Sequence, residues 1–286
     1  MKKVVIVTDT TACIPHEQVD RYDIEVVPVQ LIFEDKAYRD GIDISPTEFY
    51  SLLRQAKKLP TTSSSSPDPY LEAYRKASQR VENILCLTEP SNFSAMFNSA
   101  LVAKEMAKTA LPNVAIEVLD CTTAAAGQGL VALAAARAAA SGQNLNETMA
   151  TAKNIMSRVN LFATLDTLHY LVKGGRVPQA AALVNSLLKI KPIFTLNHGE
   201  AHTVALPRTI PSAIKRILKM MERKVVKGQP LHVAVMHADA LDKAVALRNR
   251  ISSQFDCAEL FITEFTPVMG VHTGPGLLGI AFYNED

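Results

Sequence analysis

The chain has 286 residues, 48% of them hydrophobic and 20% charged, with a formal net charge of +2. That length predicts two domains at roughly 100–200 residues each. The apolar share excludes a disordered chain, and the absence of a biased repeat excludes a fibrous one. Cys13, Cys86, Cys121 and Cys257 are scattered, with no C-x-x-C pair, so neither a zinc ribbon nor a thioredoxin-type site is readable.

The opening apolar run ends at Asp9, too short for a signal peptide, and Leu130–Ala140, Ala-rich and carrying Arg137, reads as a buried helix. A cytoplasmic protein with no integral membrane association is expected. Strands are predicted at Val4–Val7, Val26–Phe33, Ile84–Leu87 and Ile116–Leu119. Helices are predicted at Ser45–Ala56, Asp68–Arg80, Ser94–Thr109 and Thr123–Ala140. Ser45-Pro46 with Glu48 is a capping-box signal, and Ser66-Pro67 repeats its first half. Such alternation implies βαβ units and a parallel sheet covered by helices.

The second half reads differently. A helix at Asn144–Val159 and a strand at Leu161–Leu165 precede a helical stretch from Thr167 to about Ile190, broken at Gly174-Gly175. Pro192–Leu196 and Thr203–Leu206, joined by Asn197-His198-Gly199-Glu200, predict a β-hairpin. Two helix–strand units follow, Pro211–Lys227 with Val233–His237 and Leu241–Gln254 with Glu259–Thr266, before a last strand from Leu277 to Tyr283. The expected fold class is therefore α/β, in two α/β domains: 1–160 with a mainly parallel sheet, 161–286 with a mixed sheet.

Charge is unevenly placed. From Thr167 to Lys227 there are eleven Lys and Arg against two Glu, a net of +9 that leaves −7 for the rest. A solvated helix face explains part of this; an electropositive surface for an anionic partner is the sharper reading. Tyr170 and Phe194 are the only aromatics there, which argues against nucleic acid as a partner.

Polar groups recur where strands should end. Asp9 follows the first strand, where open sheets place ligand sites, and either caps the next turn or serves as a nucleophile. Thr61 to Ser66 offer six hydroxyls between two prolines, as a linker or a fixed loop. Ser91-Asn92-Phe93-Ser94 precedes a helix whose backbone N–H groups could receive a carboxylate or phosphate. His272 sits in the Gly/Pro-rich loop Gly270–Gly276 and could donate to a carboxylate or act as a base. His198 and His202 imitate a zinc pair but flank a hairpin turn, so no metal is expected. Cys13 and Cys121 read as packing residues. With no Ser-His-Asp order, P-loop or dinucleotide fingerprint, the balance favours binding over catalysis. The alternative is a small-molecule phosphotransferase or hydrolase using Asp9 or His272.

Several of these segments, taken together, resemble the DegV family. They are Thr8-Asp9-Thr10-Thr11-Ala12, Pro60-Thr61-Thr62-Ser63, Asp120 to Gly127-Gln128-Gly129, and Asp166-Thr167-Leu168 through Gly174-Gly175-Arg176. Ile190-Lys191-Pro192-Ile193, the Asn197–Glu200 turn and His272-Thr273-Gly274-Pro275-Gly276 with Leu278-Gly279-Ile280 continue the likeness in order. The resemblance implies a two-domain α/β protein enclosing a long-chain fatty acid. It further implies a non-catalytic subunit that presents the bound carboxylate to a fatty acid kinase, giving an acyl phosphate for phospholipid synthesis. By the same likeness Thr62, Ser94, Ser91, His272 and Thr61 would surround the ligand, Arg176 and Arg208 would dock the kinase, and no cofactor is required. Departures fall on one loop: Asn92 and Ala95 stand where the family has glycines, Met96 replaces a threonine, and Pro90 replaces a serine. Ser64-Ser65 replaces a usual Gln-Pro.

Overall fold

A computed structural model describes residues 3–63, 66–177, 180, 190–197 and 199–285. The first half holds the expected alternation, with a helix at His16–Tyr22 and short strands at Lys36–Arg39 and Thr61–Ser63 that were not expected. Strand β1 (Val5–Asp9), helix α1 (His16–Tyr22), β2 (Glu25–Val27), β3 (Gln30–Phe33), β4 (Lys36–Arg39) and α2 (Pro46–Gln55) come first. Strand β5 (Thr61–Ser63), α3 (Pro67–Ser78), β6 (Asn83–Thr88), α4 (Met96–Ala110), β7 (Ala115–Asp120), α5 (Ala126–Ala140) and α6 (Leu145–Arg158) follow. The second half contains β8 (Asn160–Thr164), α7 (His169–Gly174), β9 (Ile193–Asn197), β10 (Glu200–Ala205) and α8 (Ile210–Glu222). It closes with β11 (Leu231–His237), α9 (Leu241–Gln254), β12 (Glu259–Glu264), α10 (Pro267–Thr273) and β13 (Leu278–Asn284).

Three sheets form. Strands β2-β1-β6-β7 make an all-parallel sheet, and β10-β9-β8-β13-β11-β12 make a mixed one in which β11 and β12 are the parallel pair. A small antiparallel sheet, β4-β3-β5, stands apart. It corrects two expectations. Val26–Phe33 is not one strand: Pro28, which has no N–H for a ladder, separates β2 in the parallel sheet from β3 in the small one. Thr61–Ser63 is neither linker nor loop, because Thr62 pairs with Leu31 and Ser63 with Gln30. The rest of the predicted hydroxyl run, Ser64 and Ser65, lies outside the described residues, as does most of the helical stretch expected up to Ile190.

Helix α5 lies between the two large sheets, against β1 and β6 on one side and β8, β11 and β13 on the other. Thirteen of its fifteen residues are buried, as expected of a helix apolar all round. Alanine and glycine let backbones approach: a Cβ on Gly129 would meet the carbonyl oxygen of Ala12 at 2.5 Å. Its one charged residue is not orphaned, since Arg137 donates to Glu259 at 3.1 Å and to the Tyr283 hydroxyl at 2.6 Å.

The mixed sheet sorts its residues by strand alternation. Phe162, Val233, Val235, Ile280 and Phe282 join Ile214, Ile217, Leu218, Leu247 and Ile251 in a core under α8 and α9. The alternate positions, Leu161, Ala163, Ala234, Met236 and Ala281, face the larger core shared with α5. This second face is where the chain leaves space.

Candidate functional site

A cavity of about 660 Å³ opens on that face. Leu161, Ala163 and Leu165 from β8 and the residue after it, Phe194 and Leu196 from β9, Met236 from β11 and Leu277 line its apolar part. Thr62, Glu89, Ser91, Ser94, Arg176 and His272 supply polar groups to the same lining. The volume lies within the roughly 300–1,000 Å³ of small-molecule sites.

Thr62 and His272, 210 residues apart, meet: Thr62 Oγ1 lies 3.1 Å from His272 Nε2. The histidine does not sit in a loop, as its Gly/Pro surroundings suggest. Thr266-Pro267 starts α10, whose first turn accepts proline, and the helix runs to Thr273 before Gly274 ends it at φ 65°. Glycine permits the close fit behind the ring, because a Cβ on Gly174 would stand 2.6 Å from His272 Nδ1. That nitrogen is buried without a hydrogen-bond partner among the described residues. Burial, reinforced by the positive charge of Arg176, pushes the His272 pKa down to about 4, so the ring is neutral at pH 7.

The loop after β6 is built from side chains as well as backbone. Ser91 donates its N–H and its hydroxyl to the two Asp120 oxygens, at 3.1 and 2.6 Å. The Phe93 N–H is taken by the Pro90 carbonyl at 2.8 Å, and the Met96 N–H by Ser94 Oγ at 3.3 Å. Several donors expected to await an anion are therefore already engaged. Arg176 donates to the carbonyls of Phe93 (3.4 Å) and Gly174 (2.9 Å), which brings its guanidinium to the cavity. Thr61 is exposed and outside the lining, and Arg208 is exposed on the connection between β10 and α8.

Asp9 takes the structural alternative. It is fully buried at the end of β1, accepts the Thr11 N–H at 3.0 Å as a cap, and accepts the Tyr70 hydroxyl at 3.3 Å. Gln128 bridges the same cluster, donating to Thr8 Oγ1 at 3.1 Å and accepting from Thr11 Oγ1 at 3.1 Å. Burial pushes the Cys13 thiol up to about 12 and that of Cys121 well above its usual value, so both are inert packing groups at neutral pH.

Two features escape a linear reading. Glu89, 9% exposed, lies in the lining beside Ser94, although a single acid after an apolar strand is the only sequence signal for it. Ala125, also in the lining, holds φ 52° and ψ −138°, a conformation that costs a non-glycine residue about 1–3 kcal/mol.

The His272 geometry has a pH consequence. A base whose folded pKa is depressed contributes stability above its unfolded value and loses it as pH falls from about 6.5 towards about 4. Glu89 and Asp40, whose pKa values burial raises to about 8 and about 6, act in the opposite sense. The signal therefore lies in a difference. Denaturant unfolding of the parent and of His272→Gln, at pH 7 and pH 5, should show the parent's relative stability falling by on the order of 2 kcal/mol. An unchanged difference would mean the ring is not held neutral.

A partly open, mainly apolar cavity with a small polar cluster, set within an α/β protein of three sheets, has the architecture of a small-molecule site. Residues 3–285 match a family model described as "Uncharacterised protein, DegV family". A DegV domain-containing protein of Streptomyces coelicolor is 33% identical over 281 residues, covering 98% of each chain. Among solved structures, a DegV family protein from Thermus thermophilus, reported for its fatty acid binding, superposes with a TM-score of 0.91 at 28% identity, over 99% of this chain and 100% of that one. DegV of Bacillus subtilis, described as a fatty acid binding protein, gives 0.90 at 28% identity over the full length of both. The chain belongs to the DegV family.

Proposed function

We propose that this protein binds a long-chain fatty acid in the cavity and presents its carboxylate to a fatty acid kinase for acyl phosphate formation, without a catalytic step of its own. The carrying observation is one 660 Å³ cavity that joins an apolar lining to Thr62, Ser94 and His272. At about 0.8 kcal/mol per methylene, a sixteen-carbon tail gains on the order of 10 kcal/mol there before ordering costs. Thr62 and the neutral His272 receive the carboxylate, Ser94 and the backbone around it complete the receptor, and Ser91 acts through the loop it ties to Asp120. Thr61 supports Thr62 from the strand. The fatty acid-binding relatives in Thermus and Bacillus support the same reading.

In this reading the division between domains falls near residue 160, the protein works in the cytoplasm, and kinase and ATP are the anionic partners of the basic segment. Arg208 belongs to that outer face. Arg176 stands where the face meets the cavity.

Native mass spectrometry of the purified protein should reveal a bound fatty acid, or one-to-one uptake of added palmitate or oleate. Thr62→Val should weaken uptake about 10- to 100-fold, the worth of one hydrogen bond to a charged group, and Cys121→Ser should not. A folded protein that neither carries nor takes up any fatty acid would refute the proposal.

A further inference from the structure

We propose that Glu89 is the proton-sharing partner of the bound headgroup: a neutral carboxylic acid whose O–H donates to the ligand carboxylate, so that binding is linked to the Glu89 proton. This rests on the fatty acid reading of the cavity and adds to it a headgroup requirement.

Glu89 directly follows β6, and its side chain shares the cavity lining with Thr62, Ser94, Arg176 and His272. Its backbone N–H serves the Asp9 carboxylate, which places a second acid behind it. The groups facing it are Asp9 from β1, the Tyr70 hydroxyl from α3 and Arg176 beyond α7, while the neutral His272 from α10 shares the same lining. Asp120, at the end of β7, is already paired with Ser91. Arg176 forms no ion pair with Glu89, since its guanidinium serves the Phe93 and Gly174 carbonyls.

Charge then decides the protonation state. An ionised Glu89 beside an incoming carboxylate would put two anions in one poorly solvated space, with Asp9 close behind. Such pairs hold one proton between them. With Glu89 protonated, the lining offers the positive charge of Arg176, the Thr62 and Ser94 hydroxyls and one acidic O–H. The resulting O–H···O⁻ bond is of the short, strong kind. Burial, followed by Asp9, already raises Glu89 to about 8, against the opposing pull of Ser94 and Arg176. A bound carboxylate raises it further, so above that pH binding must take a proton from solvent. No proton is transferred permanently: the acid donates a hydrogen bond and keeps its O–H.

Oleate binding measured by calorimetry from pH 7 to pH 9.5, in two buffers of different ionisation heat, counts that proton directly. The parent should take up almost none at pH 7 and approach one at pH 9, its apparent Kd rising about tenfold per pH unit above that range. Glu89→Gln keeps the shape without the ionisation. It should bind oleate more weakly than the parent at pH 7, because an amide N–H replaces the acidic O–H, with a Kd that stays flat where the parent's rises, and take up no more protons than the ligand's own titration requires. Equal proton uptake and equal pH profiles in the two proteins would overturn the proposal while leaving the fatty acid reading intact. Tighter binding of oleyl alcohol than of oleate at pH 7 would overturn it too, by making Glu89 a receptor for neutral headgroups. Failure of both folded proteins to bind oleate at every pH would instead remove the fatty acid reading on which it rests. The parent's proton count stands on its own if Glu89→Gln does not fold.

Discussion

Gly274→Ala is expected to lower the unfolding free energy by about 2–6 kcal/mol, the sum of backbone strain and overpacking each at about 1–3 kcal/mol. Gly274 ends α10 at φ 65° and ψ 179°, a conformation open in practice to glycine alone. A Cβ there would meet the Tyr170 ring at 2.0 Å from Cδ2 and 2.4 Å from Cε2. Tyr170 belongs to α7, the helix that carries Gly174 against His272. Pushing the ring aside therefore also loosens the seat of the histidine. In thermal unfolding the loss should appear as a drop of roughly 10 °C. Gly175→Ala is the control. That residue has φ 68° but nothing among the described residues within 4 Å of an added Cβ, so only the conformational part, about 1 kcal/mol, is lost. Equal effects of the two substitutions would show that Tyr170 yields without cost.

A second large effect concerns the cavity itself. Ala163 sits in the middle of β8, opposite Gly279 on one side and Phe194 on the other, with its methyl group in the lining. Ala163→Phe places a ring where the proposed acyl chain lies. Displacing three or four methylenes, at about 0.8 kcal/mol each, should weaken oleate binding on the order of 100-fold. The parent holds space at that position, so the thermal midpoint should change little. Undiminished oleate affinity in a stably folded Ala163→Phe would place the acyl chain elsewhere.

These two sites illustrate unequal legibility. The stretch from Leu130 to Ala140 was readable as buried because it is Ala-rich, and Arg137 within it did not disturb that reading. The cavity was not readable from β8. Leu161, Ala163 and Leu165 alternate with Phe162 and Thr164 as in any strand with two buried faces. Nothing local says that one face packs on α8 and α9 while the other borders a void. Likewise, the glycines near Gly274 signalled a loop. Proline at Pro267 could equally open a helix, and the packing of α10 against α7 and α2 selected that outcome.

Much of the chain's order of strands and helices, its α/β class and the placement of Asp9, Ser91 and Ser94 after β-branched runs were determined by the sequence alone. Periodicity, capping and strand propensity act over a few residues and survive in any tertiary setting. The resemblance also named Thr62 and His272 together, with the cavity they share. Tertiary structure decided the remainder. Pro28 divides one apolar run between two sheets, Thr61–Ser63 becomes an edge strand because β3 offers an unpaired edge, and Arg176, itself exposed, borders the cavity while Arg208 does not. It also set the neutral state of His272 and the raised pKa of Glu89. Sheet pairing and desolvation depend on which distant residues arrive, and no window of sequence contains them. The net charge of +2 conceals a basic segment that a linear count can find, but the acid lying beside Arg176 emerges only when the chain is folded.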